Sequence, residues 1–167
     1  MRKLTNLLLA TLFACTFNQL AIAQEAGDIS VGAGAVYGFD MEEVGIQAVG
    51  IYTLNENMRV GADFIYWLTD AEFGDYTAFE INGNFHYIFY NENDLLLYGL
   101  GSLGLHYVSY SFNMFGFSED VTDSELGLGV GAGLEYSIGN LKLYTEPRLF
   151  LSGFDQFAIS AGLRLPI

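Results

Sequence analysis

The sequence has 167 residues, of which 51% are hydrophobic, and its twenty acidic residues outnumber its six basic ones. The net charge of −14 argues against nucleic-acid binding, because a protein that holds phosphates needs a basic surface. No apolar run of about 18 residues follows the N-terminus, so no transmembrane helix is predicted beyond it. The 20 Gly, 14 Phe and 11 Tyr, beside only 2 Pro, favour an all-β chain.

The N-terminus has the features of a secretory signal peptide. Two basic residues open the chain, a mostly apolar stretch follows, and Ala21-Ile22-Ala23 supplies the small residues of a cleavage site. We therefore predict a signal peptide over 1–23 and a single mature domain over 24–167. Without the first two basic residues, four bases remain against twenty acids, a net charge of −16.

The only cysteine, Cys15, lies inside this predicted signal peptide. The mature domain would therefore hold no thiol, no disulfide and no cysteine metal site. Leu12-Phe13-Ala14-Cys15 also loosely resembles a lipoprotein processing site, which would make Cys15 a lipidated N-terminus. We favour cleavage after Ala23, because Phe13 fits the lipoprotein pattern poorly.

The stretch 125–138 alternates strictly between two kinds of residue, which is the signature of a strand with two different faces. Its length suits a tilted strand that crosses a bilayer, which needs about 9–11 residues. Much of the chain repeats the pattern, so we predict that the apolar face points outward to lipid and the small and polar face points inward to a lumen. The apolar positions are Leu126, Leu128, Val130, Ala132, Leu134, Tyr136 and Ile138.

Eight such runs divide the mature chain. Short turns, rich in Asn, follow runs two, four and six, whereas the two longest loops, 69–75 and 111–120, lie on the opposite side. This asymmetry is typical of outer-membrane barrels. Pro147 lacks an N–H and is predicted to mark a bulge or local break. The runs cover about 28–39, 44–54, 58–68, 76–90, 95–110, 125–138, 141–151 and 156–167.

Aromatic residues come just before the predicted short turns. A weak internal repeat relates 51–57 to 87–93, with a shorter echo at 135–140. Aromatic side chains at this level would form a girdle at the lipid headgroups. The predicted girdle residues are Tyr52, Tyr87, Phe89 and Tyr136.

The alternating runs, the Asn-rich turns and the closing Leu163-Arg164-Leu165-Pro166-Ile167 resemble the small eight-stranded outer-membrane β-barrel family, the OmpA-like and OmpX-like barrels. The resemblance implies an all-β, eight-stranded antiparallel up-and-down transmembrane β-barrel in the bacterial outer membrane. It also implies contact with outer-membrane lipids, lipopolysaccharide and the barrel-assembly machinery. The chain departs from the family by ending in Ile167 instead of an aromatic residue.

An eight-stranded barrel is just wide enough for side chains to fill its interior. The inward parity places all four mature basic residues in the lumen, together with His86 and acidic residues that include Glu125. Opposite charges on adjacent strands pair, so we predict an internal ionic network that fills and rigidifies the barrel. A gate or narrow ion path is the alternative. The network residues are Arg59, Asp63, Glu80, Glu135, Lys142, Glu146, Arg148 and Arg164.

An enzyme acting on lipid A is the least favoured interpretation. Such chemistry needs a serine activated by a histidine. His106 and Ser109 are three residues apart in one strand and face opposite sides, and His86 has no obvious serine at matching depth. No phosphate-binding loop, zinc spacing or calcium loop occurs, so no catalytic residue, cofactor or metal site is predicted.

The predicted outer loops are acidic, which suggests either solvation or divalent cations held against lipopolysaccharide. The apolar residues Phe112, Met114, Phe115 and Phe117 either extend a hairpin beyond the membrane or contact a partner. We therefore predict a structural or surface-interaction role, with a possible partner at loops 69–75 and 111–120. The acidic residues are Asp40, Glu42, Glu43, Asp70, Glu72, Asp75, Glu119, Asp120 and Asp123.

Three alternatives remain open beside this role. The first is a narrow pore or a barrel that binds a small apolar ligand, and the second is the lipid A enzyme. The third is a soluble ligand-binding barrel whose faces are reversed, with Leu, Phe and Val inside.

Overall fold

A computed structural model describes residues 26–69, 75–114, 117–153 and 155–167. No helix in these ranges is long and apolar enough to cross a membrane. The predicted signal peptide lies outside them. The elements are eight β-strands: β1 (Ile29–Gly38), β2 (Glu43–Asn55), β3 (Met58–Trp67), β4 (Asp75–Glu92), β5 (Leu95–Met114), β6 (Phe117–Ile138), β7 (Leu141–Ser152) and β8 (Gln156–Pro166).

The strands form one closed antiparallel barrel in which each strand pairs with its neighbours in the chain. β1 closes the barrel against β8, and Ala35 is paired with Ile46 on one side and Ala161 on the other. Closure leaves every strand hydrogen-bonded along both edges within the barrel wall, which a membrane demands because lipid offers no partners for backbone groups. The predicted eight-stranded up-and-down fold is confirmed.

The outward and inward faces follow the predicted parity. On β6 the side chains of Leu128, Val130 and Leu134 are 58%, 49% and 39% exposed, whereas Glu135 is 2% exposed. Arg148 on β7 is 4% exposed, beside an outward Leu149 at 43%. Apolar residues therefore face out and ionic residues face in. The soluble barrel with reversed faces is wrong.

Tight turns join the strands at the end of the barrel where both termini lie. β4 and β5 are joined by Asn93 and Asp94, whose φ angles are 51° and 65°, and Gly139 between β6 and β7 has a φ of 62°. These left-handed conformations suit Asn, Asp and Gly, as the turn prediction required. Outer-membrane barrels carry their short turns at the periplasmic end, so we name this end periplasmic, as the sequence predicts, and the opposite end extracellular.

The predicted loop 111–120 is wrong for most of its length, and the alternative, that this segment extends a hairpin, is confirmed. β5 and β6 continue as a paired hairpin, with Ser111 opposite Asp120 and Met114 opposite Phe117. The first pair between β6 and β7 is Leu128 with Ser152. The hairpin therefore projects past β7 on the extracellular side. We call β5–β6 beyond this point the projecting hairpin.

Pro147 interrupts one ladder, as predicted. Between β6 and β7 the paired residues jump from Gly131–Arg148 to Leu134–Thr145, which leaves out two pairs of positions, one of which includes Pro147. The other ladder continues, with Pro147 opposite Ile159 on β8. The missing proline N–H accounts for a break on one side only.

Candidate functional site in the barrel lumen

Glu135 on β6 is the centre of the periplasmic half of the lumen. Its carboxylate accepts a hydrogen bond from Arg164 Nη1 at 2.9 Å and one from Arg59 Nη1 at 3.3 Å. Lys142 Nζ lies 3.5 Å away. The two arginine side chains are fully buried, and that of Lys142 is 12% exposed. Three cations, from β3, β7 and β8, thus share one carboxylate.

Arg164 carries the network from Glu135 to Glu146. Its Nη2 donates to Glu146 Oε1 at 2.5 Å, and the same carboxylate oxygen accepts from the Tyr98 hydroxyl at 2.5 Å. Arg148 Nη2 lies 3.6 Å from the other oxygen of Glu146. Fork-shaped guanidinium groups suit this bridging because their donors are fixed in one plane.

Asp63 on β3 receives the next part of the network. Arg148 Nη2 donates to its Oδ2 at 3.1 Å, and Asn82 Nδ2 donates to its Oδ1 at 2.9 Å. Asn84 also donates to Asp63 and accepts from the Ser102 hydroxyl at 2.6 Å. Asp63 is 3% exposed, and its carboxylate is satisfied by side chains from two strands, β4 and β7.

Glu80 on β4 ends the network on the extracellular side. Its Oε1 accepts from Trp67 Nε1 at 3.0 Å and lies 3.2 Å from His106 Nδ1, and its Oε2 is 3.4 Å from Asn82 Nδ2. The contacts therefore run without a gap from Lys142 to His106. Four carboxylates and four basic side chains take part, and they are the eight residues that the sequence predicts for the network.

Inward-facing glycines make room for the large side chains. A Cβ built on Gly133 would overlap the Tyr98 ring, and one on Gly32 would approach the Arg164 side chain closely. The Tyr98 ring in turn lies under Arg59, 4.7 Å from its guanidinium carbon, and stacks on His86 at 4.6 Å. The glycines of the inward face of β6 are thus complementary to the lumen's aromatic rings.

An apolar cluster closes the extracellular end above the ionic network. Trp67 is 1% exposed and joins the charged part to the apolar part, because its ring packs in the cluster while its N–H reaches Glu80. Met41, from the connection between β1 and β2, packs against the cluster from outside. The cluster comprises Val36, Ile65, Trp67, Ala78 and Ala158, with Met41, Tyr76 and Val108 against it.

The contacts seen for the two histidines are with charged and aromatic side chains. His106 faces the lumen against Glu80, whereas Ser109 has the opposite parity and pairs with Thr77 and Thr122. His86 lies between Arg59 and Tyr98. No cluster of three or more metal-ligating residues occurs in the part of the chain that the structure describes.

The predicted girdle residues all lie on the outer face within a few residues of the periplasmic turns. Tyr52, Tyr87, Phe89 and Tyr136 are 45%, 50%, 61% and 45% exposed. Phe89 has an additional feature, because the ladder with β5 skips it between Ile88 and Tyr90. The bulge leaves two successive aromatic residues, Phe89 and Tyr90, exposed at this rim.

The acidic loop residues are only partly described. Asp40 Oδ2 accepts a hydrogen bond from the Phe157 backbone N–H at 2.7 Å, which ties the first extracellular connection to β8. Asp123 Oδ1 accepts from the N–H of Ser124 at 2.9 Å. Asp70 and Glu72 lie outside the described residues. Glu125 is exposed at the base of the projecting hairpin, so its prediction as a lumen residue is wrong.

Several lumen residues are missing from the sequence prediction. Tyr98, Trp67 and Asn82 are 0%, 1% and 0% exposed and each bonds a carboxylate of the network. Their inward parity was readable, but a search restricted to charged side chains passes over a phenol, an indole and an amide. A large side chain opposite an inward glycine is the sequence signal that could have identified these residues.

Comparison with family models identifies the family of this chain. The model of the family described as "Outer membrane protein beta-barrel domain" matches residues 7–151. A search of curated proteins finds no significant match.

Three solved structures share the fold. Neisserial surface protein A is 19% identical, with a TM-score of 0.62, and the match covers 82% of this chain and 96% of that one. The N-terminal β-barrel domain of Pseudomonas aeruginosa OprF is 14% identical, with a TM-score of 0.61 and coverage of 86% and 100%. Ail of Yersinia pestis, in complex with the heparin analogue sucrose octasulfate, is 20% identical, with a TM-score of 0.59 and coverage of 85% and 100%.

Proposed function

Because the chain belongs to the family of outer-membrane protein β-barrel domains and resides in the bacterial outer membrane, we propose that it is a non-catalytic surface-interaction protein. Its barrel is the rigid anchor in this proposal, and the projecting hairpin is the element that binds a partner. The partner is an extended, basic segment of another protein. The observation that carries the proposal is the free edge of β6.

The state of the lumen supports an anchoring role. The ionic network and the apolar cluster above it occupy successive levels of the interior, and the charged side chains of the network are bound to one another. An open path for solutes would require these contacts to break. The arrangement favours a plug over the narrow pore, and the placement of His86 and His106 favours a non-catalytic barrel.

The edge of β6 supports a binding role for the hairpin. β6 pairs with β5 along its whole length from Phe117, but its ladder with β7 begins only at Leu128. Within the part of the chain that the structure describes, residues 117–127 therefore have a ladder partner on one side only. An exposed strand edge presents unpaired N–H and C=O groups, which is how an extended peptide adds to a sheet.

The charge of the outer surface indicates the chemistry of the partner. All four basic residues of the mature chain lie in the lumen, so no Lys or Arg remains for the loops or the hairpin. Asp123 and Glu125 are exposed on the hairpin. A basic segment fits this surface. The polyanion named with Ail does not, since an external cation would be needed to hold it.

Lipopolysaccharide and the barrel-assembly machinery are further proposed partners. The exposed apolar band, to which Leu128 and Leu149 belong, offers a surface for acyl chains. The C-terminal Ile167 donates its N–H to Ile29 O at 2.9 Å and is 78% exposed, so an apolar side chain stands beside the β1–β8 seam. The possible partner site at 69–75 falls mostly outside the described residues.

The test uses the full mature barrel in lipid nanodiscs and a synthetic peptide of alternating Lys and Val as the probe. We expect the peptide to bind and to slow amide hydrogen exchange at 121–127. Asp123→Lys with Glu125→Lys should weaken binding about tenfold, because two attractive charges become repulsive. Asp155→Lys with Glu42→Gln, on other extracellular connections, is the control and should change binding less than twofold. Binding without protection of 121–127 would overturn the role of the edge.

A planar-bilayer measurement separates this proposal from the pore. We expect the parent protein to give no steady channels, because the lumen is plugged. Steady conductance from purified protein, abolished when the protein is unfolded, would favour the pore and contradict the anchoring role.

A further inference from the structure

Glu80 differs from the other carboxylates of the ionic network in the kind of cation that it meets. The ion pairs of Asp63, Glu135 and Glu146 are formed with arginine or lysine, whose ordinary titration lies above about pH 10. The ion pair of Glu80 is formed with His106, whose Nδ1 lies 3.2 Å from Glu80 Oε1. An imidazole gains or loses its charge between about pH 5 and 8. The charge balance at this level of the lumen therefore depends on one exchangeable proton.

The strands on either side of His106 each place a carboxylate at the paired position. In the ladders, His106 of β5 lies opposite Glu80 of β4 on one side and opposite Glu125 of β6 on the other. Glu80 is 1% exposed and His106 is 7% exposed. Glu125 is exposed, so water screens its charge, whereas the buried carboxylate acts at short range. One level toward the periplasm, Arg148 of β7 is paired with Asp63 of β3.

Glu80 also connects this pair to the apolar cluster at the extracellular end. Trp67 Nε1 donates to the same carboxylate oxygen, Glu80 Oε1, at 3.0 Å. The Trp67 side chain belongs to the cluster and is 1% exposed, and Met41 packs against that cluster from the first extracellular connection. A continuous set of contacts thus runs from His106 through Glu80 and Trp67 to the residues that close the extracellular end.

We propose that Glu80 and His106 form a proton-binding site that controls how tightly the extracellular end of the lumen is closed. With the proton bound, the imidazolium compensates for the charge of the buried carboxylate, and Trp67 is held against Glu80. When the proton passes to solvent, the partners of the carboxylate are the indole of Trp67, the amide of Asn82 and a neutral imidazole. A buried carboxylate without a cation is costly, and water that enters beside it lowers the cost and separates it from the indole.

The sign of the pH dependence follows from the charge that the pair needs. The imidazolium of His106 stabilises the closed end, so this contribution is present at acidic pH and is lost as the pH rises through the titration of the imidazole. The extracellular end is therefore tight at pH 5 and looser at pH 8.5.

The composition of the chain makes this site unusually easy to observe. Trp67 is the chain's one tryptophan, so tryptophan fluorescence reports on this level of the lumen alone. The chain has two histidines, and the second, His86, has its Nδ1 3.5 Å from Arg59 Nη2 and stacks on Tyr98. At that contact a protonated His86 would face a like charge. Replacing His86 should therefore leave the proposed site unchanged.

The experiment follows Trp67 between pH 5 and 8.5 in the full mature barrel, folded into lipid nanodiscs. Acrylamide quenching of its fluorescence measures how readily a small neutral solute reaches the ring, and the carbon-bound ring protons of the histidines report titration in NMR spectra. We expect the quenching constant of the parent to rise roughly twofold over this range, with the same midpoint as the titration of His106. His106→Gln and Glu80→Gln should each remove the pH dependence.

The matched controls are His86→Gln, which replaces the other histidine, and Glu125→Gln, which replaces the exposed carboxylate on the other side of His106. Both should keep the pH dependence of the parent. Heat-modifiable migration on gels verifies that each variant is folded.

Three outcomes would overturn the proposal, and the first two need only the parent protein. The first is a quenching constant that stays level while His106 titrates, which would make Trp67 independent of the proton. The second is a His106 signal that does not titrate between pH 5 and 8.5. The third is a loss of the pH dependence in His86→Gln or Glu125→Gln as complete as in His106→Gln, which would assign the proton to another pair.

Discussion

The lumen and the projecting hairpin use acidic residues in opposite ways. In the lumen, Glu135 and Glu146 are each within 3.6 Å of at least two basic side chains and are 2% exposed. On the hairpin, Asp123 and Glu125 are exposed on a strand that has a partner along one edge only. Every Lys and Arg among the described residues lies in the lumen, and none of them lies outside it.

The charged residues of the lumen therefore hold the barrel together, whereas those of the projecting hairpin are available to other molecules. A buried carboxylate is tolerated only when its partners compensate for lost water, so every lumen charge is committed to a contact. An exposed carboxylate is solvated, screened and worth little to stability. The comparison predicts that mutations of equal chemistry have very unequal effects in the two regions.

Removing the carboxylate of Glu135 is expected to have the largest effect. Glu135→Ala leaves Arg59, Arg164 and Lys142 without their shared counter-charge, which should lower the free energy of unfolding by about 3–5 kcal/mol. Urea unfolding in phospholipid vesicles measures it. Glu125→Ala, on the same strand but exposed, should change stability by less than about 0.5 kcal/mol. Similar losses for both variants would contradict the contrast between the two regions.

A charge on the lipid face should be the next largest effect. Val130→Arg places a cation among the outward apolar residues of β6 and should cost about 2–4 kcal/mol and impair insertion. The measurement is the yield of folded barrel in vesicles. Val121→Arg on the projecting hairpin, where the exposed side chain meets water, should insert normally. Unimpaired insertion of Val130→Arg would show that this face does not meet the acyl chains.

The smallest of the three effects concerns one methyl group. Gly133→Ala brings a Cβ into the Tyr98 ring and should cost about 1–3 kcal/mol, because the ring is held by Glu146 and stacks on His86. Gly99→Ala is the control, since its Cβ would have nothing within 4 Å. The urea midpoints of the two variants in vesicles measure the difference. Equal midpoints would mean that Tyr98 shifts without cost.

The accuracy of the sequence prediction changes at the membrane surface. From Leu126 to Ile138 the alternation predicted the strand and both of its faces. Over 111–120 the prediction of a loop failed, because a hairpin in water has no lipid on one side to require a regular apolar face. Its backbone pairing continues while the sequence pattern that reveals strands disappears.

The sequence also could not predict the level of each inward side chain along the barrel axis. Parity places Glu135 and Arg59 on the inner face, but β3 and β6 are not neighbours, and their contact at 3.3 Å crosses the lumen. The tilt and register of all eight strands decide which levels coincide across the axis. The same tilt and register bring Trp67 to the level of Glu80 and Tyr98 to the level of Glu146.

The sequence by itself determined the class of barrel, the direction of its two faces and the eight charged residues of the ionic network, because a two-residue period and a bilayer leave one arrangement for apolar residues. The tertiary structure alone decided that Arg164 joins Glu135 to Glu146, that Met41 packs against the apolar cluster, and that the β6–β7 ladder among the described residues begins only at Leu128. These contacts depend on the closure of the barrel and the stagger of its strands, which bring together residues whose distance along the chain says nothing about their distance in space.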